Sequence, residues 1–241
     1  MRWSQMDFLF RRLVHCALHP VQGFQERAAE SPKLGVSFGW MLLLRGSISL
    51  IGSLLTLHAV YRDYPAFKDP HSRMWQQILQ LFPAEINVED VRAFVTSLPD
   101  LPSWANLWPW MIVLPPVGIA SAWLHNAVWD HMSLWMLGGV KRTGNWRSTF
   151  IAEAEAMQVG ALDAAIGLLG FIPLMGLLLT PVFMVSGAYF WMLRGLALAA
   201  FHRAPMWKGV AATLLHIILA IIFVLGMLGI SLLIVMQSVS G

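Results

Sequence analysis

Five side chains draw attention by their position. Arg45, Asn126, Asp130, His131 and Asp163 are polar or ionisable, yet each lies in a stretch apolar enough to cross a bilayer. Such groups are costly in lipid and mark substrate, ion or proton sites, or pairing between helices. Arg45 sits about 11 residues into its stretch, which is about 16 Å of helix rise and too deep to snorkel. Asp163 lies 13 residues past Phe150, so it reaches a similar depth if it enters from the same side. An Arg45–Asp163 pair would satisfy both charges, either as a pin between two helices or as part of a substrate or proton site; the third reading is that the two do not pair directly. Asn126 and Asp130 are four residues apart and share a helix face, while His131 is turned about 100° from Asp130. That stripe reads as helix-end polarity facing the bundle or a wet groove. A metal there would need further ligands, such as Glu153, Glu155, His202 or His216.

The remaining reactive residues point to no chemistry of their own. His15 and His19 have i, i+4 metal-ligand spacing, but no Glu follows His15 and Pro20 ends the helix there. Glu153 and Glu155 complement the start of a helix and point to opposite sides, so they form no shared carboxylate site. Arg194, near a span end, is expected to snorkel. Cys16 reads as an apolar cysteine in an amphipathic helix, and as the single cysteine it excludes an intramolecular disulfide and Cys₄ or Cys₂His₂ zinc. Neither a P-loop nor a G-x-G-x-x-G stretch occurs. The expectation is a chain without a nucleophile motif, enzymatic activity, metal or cofactor.

The elements that position these residues follow from composition. Of 241 residues, 57% are hydrophobic and 12% charged, against about 25% charged in soluble domains. Disorder, collagen and coiled coil are excluded on the same ground. The net charge of +3 does not point to nucleic acid, because the basic residues lie between apolar runs. A span needs roughly 20 apolar residues. Five stretches qualify, at 34–58, 107–136, 150–171, 174–200 and 209–236, with the Pro115-Pro116 pair breaking the second. Phe171-Ile172-Pro173 separates the third from the fourth; Thr180-Pro181 is the alternative boundary. The fold class is thus all-α, a polytopic bundle of five transmembrane helices. Ahead of it, residues 7–19 form an amphipathic helix with Arg11 and Arg12 on its polar side, lying at the lipid interface or packed under the bundle.

The organisation expected is a cytoplasmic N-terminal segment over 1–33, a membrane domain over 34–236 and a tail over 237–241. Residues 1–33 lack the apolar core of a secretory signal peptide. The 59–106 loop carries six acids, with a short helix capped by Asn87, and Trp104, Trp108 and Trp110 in an aromatic belt. Small residues, Gly35 with Gly39 and Gly160 with Ala164, would let the first and third helices approach. Ten of the sixteen Lys and Arg fall in 1–33, 137–149 and 201–208, and four in 59–106. The positive-inside bias then places the N-terminus in the cytoplasm and the C-terminus outside.

A set of motifs resembles the Yip family, integral membrane proteins named for interacting with Rab/Ypt GTPases and with many bacterial members. They are His19 to Phe24 (HPVQGF), then His131, Gly138-Gly139, Trp146 and Ser148-Thr149-Phe150 around the second-to-third junction. Pro173, Gly195-Leu196 and His202 follow. The likeness spans roughly residues 15–236 and implies a five-span fold and, through the bacterial members, a bacterial inner-membrane setting. The eukaryotic Tyr-Gly-Pro motif is missing, so Rab binding does not carry over. The functional expectation is a scaffold or accessory subunit that binds membrane lipid, other membrane proteins or a second copy of itself. The alternative is a small transporter, channel or lipid-handling permease component using Arg45, Asp163 and Asp130. The charge bias predicts that reporter fusions after residue 241 and within 59–106 both read as extracytoplasmic; a cytoplasmic signal after 241 would refute the five-span topology.

Overall fold

Backbone groups in hydrocarbon can bond only to one another, so so apolar a chain must become helices or a closed barrel. The computed structural model describes residues 3–81, 88–140, 145–172 and 174–240, and all regular structure among them is helical. The expectations resting on Asn87, Lys141, Arg142 and Pro173 lie outside the described residues.

Two short helices come first, α1 (Trp3–Leu18) and α2 (Pro20–Ala29), followed by the long α3 (Leu34–Lys68). α4 (Arg73–Leu81) and α5 (Val88–Ser97) lead to α6 (Trp104–Met136). α7 (Trp146–Val159), α8 (Ala161–Gly167) and a 3₁₀ turn (Leu168–Phe171) form one nearly continuous rod. After the short α9 (Met175–Leu178) come α10 (Thr180–His202) and α11 (Met206–Ser240). Five of these are long and apolar enough to span a membrane: α3, α6, the rod Trp146–Phe171, α10 and α11. The protein is an all-α integral membrane protein with five such helices.

Several boundaries differ from those expected. α3 continues ten residues beyond 58, through Pro65. α6 runs unbroken through Pro109, Pro115 and Pro116; each proline removes one donor, and the flanking turns hold the helix. The fourth span starts at Thr180, with Pro181 in its first turn, where proline's missing N–H costs nothing. α6 ends in a Schellman turn: Gly138 takes φ +64° and the Gly139 N–H returns to the Leu134 carbonyl. A side chain at 139 would strike Leu134.

By its contacts the chain divides into two units, Ser49–Pro116 and the remainder. In the first, Trp75, Val91 and Val95 form a small core with Phe67 and Ile78. The Trp75 indole N–H donates to the Phe67 carbonyl at 2.7 Å. Tyr61 and Tyr64 donate to the carbonyls of Pro102 and Pro99, and Lys68 pairs with Asp100. Trp104, Trp108 and Trp110 are exposed, as an aromatic belt would be.

The larger unit is centred on α7, nine of whose 14 residues are buried. Its core joins Leu9, Leu13 and Cys16 of α1 to Phe24 of α2, Ala152, Ala156 and Val159 of α7, and Leu193 and Ala197 of α10. α1 therefore packs under the bundle with one apolar face, while Phe8, Phe10 and Leu18 stay exposed on another. Arg12, expected on the polar side, turns inward. α1 and α2 meet closely, since a Cβ at Gly23 would lie 2.8 Å from the Cys16 Cα. Burial and the nearby Glu155 carboxylate push the Cys16 thiol up to about 11, so it is not a reactive thiolate at neutral pH.

Among the described glycines, the closest approach of one helix to another is not at Gly35 and Gly39, where an added Cβ would meet nothing within 4 Å. It lies between α10 and α11: a Cβ at Gly209 would fall 2.0 Å from the Gly195 carbonyl oxygen. Gly209→Leu is expected to force these helices apart and cost about 3 kcal/mol in detergent thermal unfolding, with Gly35→Leu close to neutral.

Candidate functional site

Three polar networks tie the helices together, and α7 belongs to all three. The first lies at the N-terminal helices. Glu155 accepts two hydrogen bonds from the Arg27 guanidinium, both at 2.9 Å, and a third from the Ser37 hydroxyl at 2.5 Å. Gln158 accepts from Arg12 at 2.8 Å and donates to the Ser37 carbonyl at 3.0 Å. This network joins α1, α2, α3 and α7. Burial disfavours the Arg27 charge, but the bond to Glu155 and its attraction outweigh that and raise Arg27 above its usual range.

Ser37 corrects one expectation. The letters Gly35-Val36-Ser37-Phe38-Gly39 match G-x-S-x-G, so a nucleophile motif is present in spelling. A nucleophile elbow needs a strained strand-to-helix turn and a histidine base. Here Ser37 is fully buried inside α3 and donates to Glu155, so its hydroxyl serves packing.

The second network joins α6, α7, α10 and α11. Arg194 donates to Asp130 at 2.7 Å and to Glu153 at 3.2 Å. The other Asp130 oxygen meets His216 Nδ1 at 2.6 Å. His216 Nε2 faces His125 Nε2 at 3.4 Å. Trp129 lies parallel to His216 with centroids 6.1 Å apart, and the Arg194 guanidinium lies 4.5 Å from the Trp191 ring. Asp130 and Glu153 are fully buried, and only 11% of the Arg194 side chain is exposed. Arg194 does not snorkel, because two carboxylates hold it inside. Glu153 Oε1 has no hydrogen-bond partner. A groove of about 600 Å³ opens beside this network, lined by His125, Asn126, Trp191, His216 and aliphatic side chains of α11.

The third network centres on Thr149, whose hydroxyl bridges His131 Nδ1 at 2.7 Å and His202 Nε2 at 2.8 Å. His131 stacks on Trp146, with centroids 3.8 Å apart. Hydroxyl geometry allows one donated bond and one accepted, so Thr149 latches α6 to α10 through the start of α7.

The expected residues are thus distributed among separate places. Asp130 and His131, adjacent in sequence, serve different networks because about 100° of helix rotation separates them. Asn126 lines the groove. Arg45 donates to the Gly160 carbonyl instead of forming an ion pair with Asp163. The chain slackens at Gly160, at φ −62° and ψ −10°, between α7 and α8. Its carbonyl also accepts from the Ala164 N–H. Asp163, half-buried, makes no ion pair within 4 Å among the described residues. His15 meets Glu26 at 3.2 Å, and its ring centroid lies 5.4 Å from that of His19. Among the described residues no three His, Cys, Asp or Glu side chains are grouped to hold a metal ion. Sequence reasoning missed Arg194 as a partner of Asp130, and named His216 beside that stripe only as a possible metal ligand; the polar residues on α6, α10 and α11 were the available signal, but their depths had to match.

No family profile matches the chain, and no curated protein or solved structure does.

Removing one member of a buried ion pair leaves an uncompensated charge, at about 3–5 kcal/mol. Arg194→Leu is expected to cost that much in detergent thermal unfolding, with part recovered in the Arg194→Leu/Asp130→Leu double variant. Arg45→Leu should cost less and show a smaller coupling to Asp163→Leu, since its partner is a backbone carbonyl that keeps its helical bond.

Proposed function

We propose that this chain is a non-enzymatic scaffold or accessory subunit of a membrane, binding other membrane proteins, a second copy of itself, or lipid. One observation carries the reading. The buried charges Arg27, Glu155, Asp130, Glu153 and Arg194 of the larger unit pin its own helices to one another, while α3, α6 and α11 turn long apolar faces outward. Val36 and Leu43 of α3, Leu124 of α6 and Ile218 and Ile222 of α11 are all exposed. On α3, Gly35 and Gly39 leave open space where a second helix could approach closely. The Yip-like motifs support the same reading, since that resemblance implies a membrane fold and topology and brings no catalytic residue. The Lys and Arg distribution supports a cytoplasmic N-terminus, and the resemblance to bacterial Yip members supports a bacterial inner-membrane setting.

The groove at His125 and Asn126 favours a second reading, a small transporter or lipid-handling permease component. Mild-detergent purification from the native membrane separates the two. A stoichiometric protein partner or a homo-oligomer is the expected outcome for a scaffold; co-purifying lipid on a monomer favours the second reading, and a bare monomer sinks the first.

A further inference from the structure

The second network holds more negative charge than positive. Its ionisable members are Asp130 and His125 on α6, Glu153 on α7, Arg194 on α10 and His216 on α11. Among the described residues no other ionisable side chain hydrogen-bonds or ion-pairs with it. One guanidinium therefore faces two carboxylates, all within about 15 Å of the helix ends by residue rise. Each Asp130 oxygen has a donor, His216 on one side and Arg194 on the other. Glu153 has one, at 3.2 Å, and its Oε1 has none although the residue is fully buried.

Arg194 binds both carboxyls, at 2.7 and 3.2 Å, which sets Glu153 beside Asp130 within reach of a carboxyl–carboxyl hydrogen bond. Two ionised carboxylates cannot make that bond, because neither carries a hydrogen. Left ionised, they repel at short range in a medium that screens poorly, and an orphan oxygen adds its own desolvation cost. One hydrogen on Glu153 resolves all three problems. It removes the excess negative charge, converts Glu153 into a donor toward Asp130, and leaves Asp130 and Arg194 as a neutral pair.

We infer that this four-helix cluster is a binding site for one proton, shared between Glu153 and Asp130, and that His125 and His216 carry it from the groove. His125 is exposed and lines the groove, and its Nε2 faces His216 Nε2. An imidazole accepts a proton on one nitrogen and releases another from the opposite one. A proton arriving at His125 passes to His216 Nε2, and the Nδ1 hydrogen of His216 moves to Asp130 and so to Glu153. His216 is left as the other neutral tautomer and resets when its ring turns. One proton enters, one stays on Glu153, and no heavy-atom bond changes. The inference is independent of the scaffold reading: a permease would couple this proton to transport, and a scaffold would use it to set helix packing.

Infrared spectroscopy of the full chain in lipid nanodiscs tests it, because a protonated carboxylic acid has a carbonyl band that a carboxylate lacks. At neutral pH the protein should show such a band, shifted in heavy water and by ¹³C-labelled glutamate, and lost as pH rises. Glu153→Gln, which mimics the protonated form, should fold and abolish the band; Asp130→Asn should move it. His125→Phe should keep the band but slow its exchange after transfer to heavy water by roughly a hundredfold, the size of losing a positioned proton carrier. A neutral-pH spectrum with no acid band sensitive to labelled glutamate overturns the site, and this holds even if Glu153→Gln fails to fold. An unchanged exchange rate in folded His125→Phe overturns the route.

Discussion

A charge removed from water must find an opposite charge or a set of hydrogen-bond donors, and in this protein that constraint falls on one helix. α7 carries two carboxylates two residues apart, Glu153 and Glu155, which the helical turn sends to opposite sides. Each recruits an arginine from elsewhere in the chain. Glu155 draws Arg27 of α2, and Glu153, with Asp130, draws Arg194 of α10. Because an uncompensated charge is so costly in a dry interior, these bonds decide which helices must be neighbours. The apolar contacts, which distinguish poorly between one aliphatic face and another in lipid, then fill the space.

The N-terminal helices owe their place to the same constraint. α1 and α2 are too short and too polar to span a bilayer, yet they reach the centre of the larger unit through Arg12 and Arg27. Their apolar residues Leu9, Leu13, Cys16 and Phe24 then close over the carboxylate. This seals Glu155 with three donors and leaves Phe8, Phe10 and Leu18 facing outward. The contrast with Glu153 is instructive. A carboxylate with three donors has no use for a hydrogen, whereas one with a single long bond and a neighbouring carboxylate does. Two chemically identical side chains on one helix are thereby given different roles by their surroundings, a pin in one case and a proton site in the other.

Much of the architecture was legible in the sequence. Five apolar runs with few charges left helices as the economical way to satisfy the backbone, and their positions follow from run length alone. The start of α5 with its acidic first turn, and the opposite directions of Glu153 and Glu155, were legible too, because they depend on local chain geometry. Boundaries that depend on proline were less so. Pro115-Pro116 reads as a break and is not one, whereas Thr180-Pro181 reads as an alternative boundary and is where α10 starts, because a first-turn proline has no helical bond to lose.

What the tertiary structure decided was partnership. By residue type and depth Arg45 and Asp163 suit one another, yet Arg45 bonds the Gly160 carbonyl at the α7–α8 junction, which also keeps its bond from the Ala164 N–H. Arg194 reads as a side chain escaping to the surface, and two acids from other helices hold it inside. Ser37 spells a nucleophile and is a buried donor. The close approach lies at Gly195 and Gly209 and not at Gly35 and Gly39, although all four are glycines in apolar helices. The sequence by itself determined that this chain is a five-helix membrane protein and which residues are too polar to face lipid, because both depend on composition along one helix. Which of those residues meet depends on the rotation and depth of helices relative to each other, and those quantities exist only once the helices have packed.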